Sequence, residues 1–252
     1  MLQKASRMQE VRSDIRGPLF VEALRMQREG IPVLKLNTGN PAAFGFEMPE
    51  SIQEALRAHL TDGTAYCDLR GMPAAREAIL AAYHEAGVRH AKLDSIYIGN
   101  GVSELVNMSL SVTLNPGDEL LMPTPCYTLW SNCTRLAEAK PAFYRCDESA
   151  HWQPDLDDMR AKITARTRGI VLINPNNPTG AVYPKETLEA ILQLARENNL
   201  IIFSDEIYGR LVMDGKPFHY IASLADDVPI VSYGGLSKSH VICGLRCGWL
   251  LV

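Results

Sequence analysis

The chain has 252 residues, of which 46% are hydrophobic and 21% charged, with a net charge of −4. That length can bury a large core and fills one big domain or two modest ones. A mildly acidic balance without a long basic run argues against nucleic acid or an anionic membrane as partner, and no apolar run approaches the ~20 residues of a transmembrane helix. The N-terminal "MLQKASRMQEVRSD" lacks the apolar stretch of a secretory signal. The six cysteines form no C-x-x-C pair and the six histidines no H-x-x-x-H pair. Reduced thiols in a cytoplasmic protein are therefore expected, and a metal site is not.

In chain order, "PLFVEALRMQREG" (18–30) predicts a helix opened by Pro18 and stopped by Gly30. "VLKLNTGNP" reads as a short extended piece ending in a loop. Residues 49–60 and 73–87 read as amphipathic helices, and the "GTAYCDLRG" between them as a turn. From residue 95 the pattern changes. Short apolar runs at 95–99, 119–123, 142–146, 169–174, 200–205, 230–234 and 248–252 alternate with helical patterns at 103–114, 127–138, 155–164 and 184–199. This alternation predicts an α/β fold, a mostly parallel seven-stranded sheet with helices on both faces. The last two runs stand close in sequence, so the final strand should run antiparallel at or near an edge.

Ligands of such sheets sit beyond the carboxyl ends of the strands, and the loops found there are "GNGVSE", "PTPCY", "NPNNPTG", "SDEIY" and "GGLSK". In "GNGVSE" the amides of Val102 and Ser103 open a helix and suit a phosphate, although Ser103 could simply cap that helix. Glu104 stands where a dinucleotide fingerprint would need its third glycine. Asp205 follows "LIIF" and needs a cation if it is buried, or serves as a helix N-cap beside a core tyrosine, Tyr208. Asn177 precedes Pro178 in a segment that could be only a turn. Tyr127 could be core, a cap, or a plate for a flat ring. Arg246 is a natural phosphate fork. Lys238 could be a second phosphate contact, an exposed charge, or a nucleophile that forms a Schiff base with a carbonyl. A cradle, an acid, an aromatic plate, a phenol, an amide and an amine together suit pyridoxal phosphate.

"NPNNPTG", "SDEIY" and "LSK…GLRCGW", in this order and spacing, resemble the class I/II aminotransferases of the fold-type-I pyridoxal-phosphate enzymes. "IRGP", "LNTGNPAAFGF", "YCDLRGM" and "IYIGNGVSEL" are similar to bacterial alanine (glutamate–pyruvate) aminotransferases in particular. The resemblance implies amino transfer between an L-amino acid of the alanine or glutamate type and a 2-oxo acid. It implies that Lys238 carries the Schiff base and acts as general base and acid, and that Asp205 pairs with the protonated ring nitrogen. Tyr208 and Asn177 would reach the phenolic oxygen, and Tyr127 would stack on the ring. Val102, Ser103, Arg246 and Ser237 would hold the phosphate. Tyr66 would reach the phosphate of a neighbouring subunit, so a homodimer is expected. Gly39 would lie close to substrate, as would Asn177. Residues 1–45 would belong to the small domain and dimer arm, and 46–252 to the cofactor-binding large domain. Relatives are longer, so most of the small domain, with its substrate-carboxylate arginine, is expected to be missing. Two departures stand near the lysine, His240 and Cys243, and Thr128 replaces a proline common in relatives. Alternative implications are a carbon–sulfur lyase on the same cradle or a non-catalytic cofactor-binding fragment.

Overall fold

The computed structural model describes residues 3–11, 17–35 and 39–252. Parts of "IRGP" and the start of "LNTGNPAAFGF" lie outside the described residues. The helices α1 (Pro18–Arg28), α2 (Glu50–Ala58) and α3 (Pro73–Glu85) precede the sheet. There follow β1 (Ile96–Gly99), α4 (Val102–Thr113), β2 (Glu119–Thr124), α5 (Thr128–Leu136), β3 (Lys140–Asp147), β4 (Gln153–Pro154) and α6 (Leu156–Lys162). The chain continues through β5 (Thr167–Ile173), α7 (Lys185–Glu197), β6 (Ile201–Asp205), β7 (Ile230–Gly235), the short α8 (Leu236–Ser239) and β8 (Gly248–Leu251).

The sheet has eight strands in the order β1-β8-β7-β6-β5-β2-β3-β4. All seven apolar runs are strands, and the eighth strand is the two-residue β4, which pairs antiparallel with β3. No periodicity marks so short a segment, which pairs only through Cys146 and Asp147 of its neighbour. The pairs β2–β3, β2–β5, β5–β6 and β6–β7 are parallel. β8 is antiparallel to both β7 and β1 and lies one strand from the edge. Among the described residues no helix is long and apolar enough to cross a membrane.

Alternation along the central strands fills two cores. Leu121, Ile170, Leu172 and Ile202 pack with Met159 of α6 and with Leu188, Ile191 and Leu192 of α7. Leu120, Met122, Val171, Ile173 and Phe203 face the other way, against Leu105 and Leu110 of α4 and Trp130 of α5. Continuous apolar runs such as Ile170 to Ile173 are needed because both faces are covered. In contrast, α1 and α2 bury no residue in this chain, although both carry apolar side chains such as Leu19, Val21 and Leu56.

One row of the sheet positions the site. Gly99 of β1, Gly248 of β8 and Gly235 of β7 stand side by side in register. A Cβ on Gly248 would lie 2.6 Å from the Val102 amide nitrogen and 2.7 Å from the Gly101 carbonyl carbon. The start of α4 is therefore seated directly on backbone, which only glycine allows. Gly248→Ala should lose about 1–3 kcal/mol in urea unfolding, because backbone must shift to admit the methyl group. Gly39→Ala, whose Cβ meets nothing within 4 Å, is the control. Equal stability of the two variants would show that α4 is not held there.

Candidate active site

The carboxyl ends of the parallel strands and the start of β8 surround a cavity of about 650 Å³. Val102, Ser103, Tyr127, Asn177, Asp205, Tyr208, Ser237, Lys238 and Arg246 all line it, as does Gly39. These come from six separate segments, so the fold gathers residues up to 207 positions apart in the chain. Tyr66 is outside the cavity wall and fully exposed.

At the floor, Asp205 ends β6 and is only 4% exposed. Its two donors are neutral: the Trp130 indole N–H to Oδ2 at 3.2 Å and the Ile207 amide to Oδ1 at 3.3 Å. Burial pushes its pKa up from 3.8 to about 6, against the pull of those hydrogen bonds and of the Lys238 charge. Trp130 escaped the sequence reading, which stopped at Tyr127. The usable signal was general: a buried indole N–H needs an acceptor, and Trp130 lies three residues beyond the aromatic already singled out.

Lys238 sits in α8, half-buried, with Nζ 5.9 Å from the centre of the Tyr208 ring. The Asn177 side-chain amide donates to the Tyr208 hydroxyl at 3.4 Å. Burial, then the nearby Asp205, raises the pKa of Tyr208. The same two causes, in that order, raise that of Tyr127, which is the N-cap residue of α5.

At the opposite end, α4 opens at Gly101, whose φ of 85° suits glycine. No side chain caps this helix, so Ser103 is not an N-cap. The first-turn amides of Val102 and Ser103 have no intrahelical acceptor. Arg246 lies alongside, donating to the Cys243 carbonyl at 2.9 Å and to Ser237 Oγ and the Asn100 carbonyl at 3.4 Å each. A Cβ on Gly101 would stand 2.3 Å from the Arg246 guanidinium, so glycine is what lets arginine reach the helix start. Of the two departures near the lysine, Cys243 lines this cavity. His240 instead lines a smaller cavity on the other side of the β6–β7 strand ends. Cys126 also lines the main cavity, where burial pushes its thiol up to about 12 and so keeps it inert.

A doubly covered α/β sheet, with an amine, a buried acid and an anion cradle at its carboxyl edge, defines a large-domain architecture built for a phosphorylated cofactor. The family model for aminotransferase class I and II matches residues 31–252, and the chain belongs to that family. It is 50% identical over 251 residues to a glutamate-pyruvate aminotransferase AlaA of Escherichia coli strain K12, a match over 100% of this chain and 62% of the relative. Among solved structures, an aminotransferase from Escherichia coli superposes with a TM-score of 0.96 at 50% identity, over 100% of this chain and 62% of that one. An alanine aminotransferase from Pyrococcus furiosus superposes with a TM-score of 0.94 at 37% identity, over 99% and 63%. The chain thus spans about 62% of the length of the relatives it matches.

Members of this family use pyridoxal 5′-phosphate. The residues present fit it on three counts. Asp205 is a buried carboxyl held only by neutral donors, which leaves it short of a cation. Gly248 lets the start of α4 seat on β8 and Gly101 lets the Arg246 guanidinium lie beside the α4 amides, approaches that side chains would block. Arg246 and the first-turn amides form an all-donor cradle.

The displaced titration of Asp205 has a definite sign. The folded chain binds this proton more tightly than the unfolded chain does. The stabilisation is complete below about pH 3.8 and is lost as the pH rises through about 6. For the chain without cofactor, urea midpoints should therefore fall between about pH 4 and pH 7, and fall less in Asp205→Asn. Equal falls in both proteins would mean that Asp205 is not desolvated as described.

Proposed function

We propose that the protein is a pyridoxal-phosphate-dependent aminotransferase of the alanine and glutamate type, which moves an amino group between an L-amino acid and a 2-oxo acid. The single observation that carries this reading is the convergence of Lys238, Asp205, Tyr208, Asn177 and Arg246 on one cavity at the carboxyl ends of the strands. The relatives named for glutamate, pyruvate and alanine support the choice of substrates. When bound, the cofactor supplies the electron sink that allows the α-carbon–hydrogen bond of an amino acid to break.

The chain's own residues supply the rest. Lys238 offers the amine that holds the cofactor covalently. With the cofactor bound, Nζ would be the group that takes the proton from the substrate α-carbon and returns a proton later in the transfer. Asp205, short of a cation, holds a proton on the ring nitrogen. Tyr208 and Asn177, already hydrogen-bonded to each other, hold the phenolic oxygen. Tyr127 covers a ring face. Val102, Ser103 and Arg246, with Ser237, hold the phosphate, and Gly39 and Asn177 border the substrate.

Residues 1–45 act as dimer arm and small-domain segment. In support, α1 buries none of its side chains in this chain, and beyond that segment α2 is likewise unburied and Tyr66 is exposed enough to reach a second subunit. A cytoplasmic homodimer follows, and its six cysteines are unpaired.

Treating the protein with pyridoxal phosphate and then borohydride should fix the cofactor's mass on the peptide that contains Lys238. Lys238→Ala should lose both the label and about 10²–10⁴-fold of amino transfer from L-glutamate to pyruvate. Labelling at another lysine would remove Lys238 from the mechanism. Pyruvate release from cystathionine exceeding amino transfer would make the protein a lyase.

A further inference from the structure

A second carboxyl, Glu206, follows Asp205 directly and has no part in the chemistry above. It is 4% exposed and lies across the strand from Asp205, toward the face of Ser204 and Ser232. Its hydrogen bonds are lopsided. Oε1 accepts twice, from the Ser204 hydroxyl at 3.1 Å and from the Ile221 amide at 3.0 Å. Oε2 is buried and receives nothing, and the neighbouring Ser232 Oγ is likewise buried without a partner. A carboxylate would share donors between its oxygens. One oxygen accepting two bonds while the other is bare of donors is the pattern of a neutral acid, with a carbonyl on one side and a hydroxyl on the other.

We propose that Glu206 is a positioning residue that stays protonated in the folded chain and donates its proton to Ser232 Oγ. Neutral hydrogen bonds then tie β6, β7 and the 221–223 turn together behind Asp205, which alone brings negative charge to that strand end.

The groups around Glu206 agree. A cavity of about 40 Å³ beside it is lined by Tyr83 of α3, Tyr220, Arg210 and His240. Tyr83 and Tyr220 are neutral phenols, both raised first by burial. Arg210 is exposed and makes no ion pair with Glu206 among the described residues. Burial and the charge of Arg210 lower the pKa of His240, which favours its neutral form. Burial pushes Glu206 from 4.5 up to about 8, against the Ile221 amide and the nearby Ser204 and Ser232 hydroxyls, with the Asp205 charge adding to the rise. An ionised Glu206 would set like charges on consecutive residues and raise the proton affinity of Asp205, weakening its hold on a protonated ring. Only this consequence rests on the proposed function. The protonation itself does not.

The test uses the chain without cofactor, labelled with carbon-13 at the glutamate side-chain carboxyls and followed by NMR. One glutamate carboxyl should be protonated at pH 7, titrate near pH 8, and be missing from Glu206→Gln. Stability should fall as the pH rises from about 4.5 to 8 in the parent, and less in the glutamine variant, which cannot ionise. Glu206→Gln keeps one acceptor and one donor, so it should bind pyridoxal phosphate as the parent does, whereas Glu206→Ala should bind it several-fold more weakly. Full ionisation of every glutamate at pH 7, as for a carboxylate bridged to Ser232 by water, would overturn the proposal. So would equal loss of affinity in both variants. If the glutamine variant does not fold, the labelled parent alone decides. Failure of cofactor capture at Lys238 would leave this titration unaffected.

Discussion

Asp205 is a carboxyl at the end of a central strand, nearly cut off from water and held by one indole and one amide. Desolvating an acid this way is unfavourable unless a positive group completes the arrangement. Phe203, Tyr233 and Trp130 pack on the same side of the sheet, and the Lys238 charge reaches Asp205 only from the cavity wall. In the proposed function a protonated pyridine ring would complete the arrangement, and Lys238, Tyr208 and Asn177 line the same cavity around the place it would take.

The other end of the site depends on the absence of side chains. The register of Gly99, Gly248 and Gly235 lets the first turn of α4 settle onto β8, and Gly101 lets Arg246 lie against it. The anion cradle is thus continuous with the sheet rather than carried on a free loop. The result is a span with a positive site at the helix start and a carboxyl at the end of β6.

Much of this was legible in the sequence. The apolar runs became strands because both faces are covered, as Ile170 and Leu172 on one side and Val171 and Ile173 on the other require. The loops after those runs had to meet, since parallel strands end at one edge. What escaped was set by tertiary contact. β4 is too short for any periodicity. The Trp130–Asp205 bond joins residues 75 apart, and nothing local to either announces it. His240 stands two residues from Lys238, yet the turn of α8 sends it to the opposite cavity. Nothing local in "SDEIY" marks Glu206 as buried, and only its place after β6, on the face of Ser204, puts it inside.

The central claim is that a bound cation completes Asp205. The most direct measurement is the carbon-13 titration of the Asp205 carboxyl, with and without pyridoxal phosphate. The midpoint should lie near 6 in the free chain and drop well below that value once the cofactor is captured at Lys238. A midpoint unmoved by captured cofactor would contradict the account.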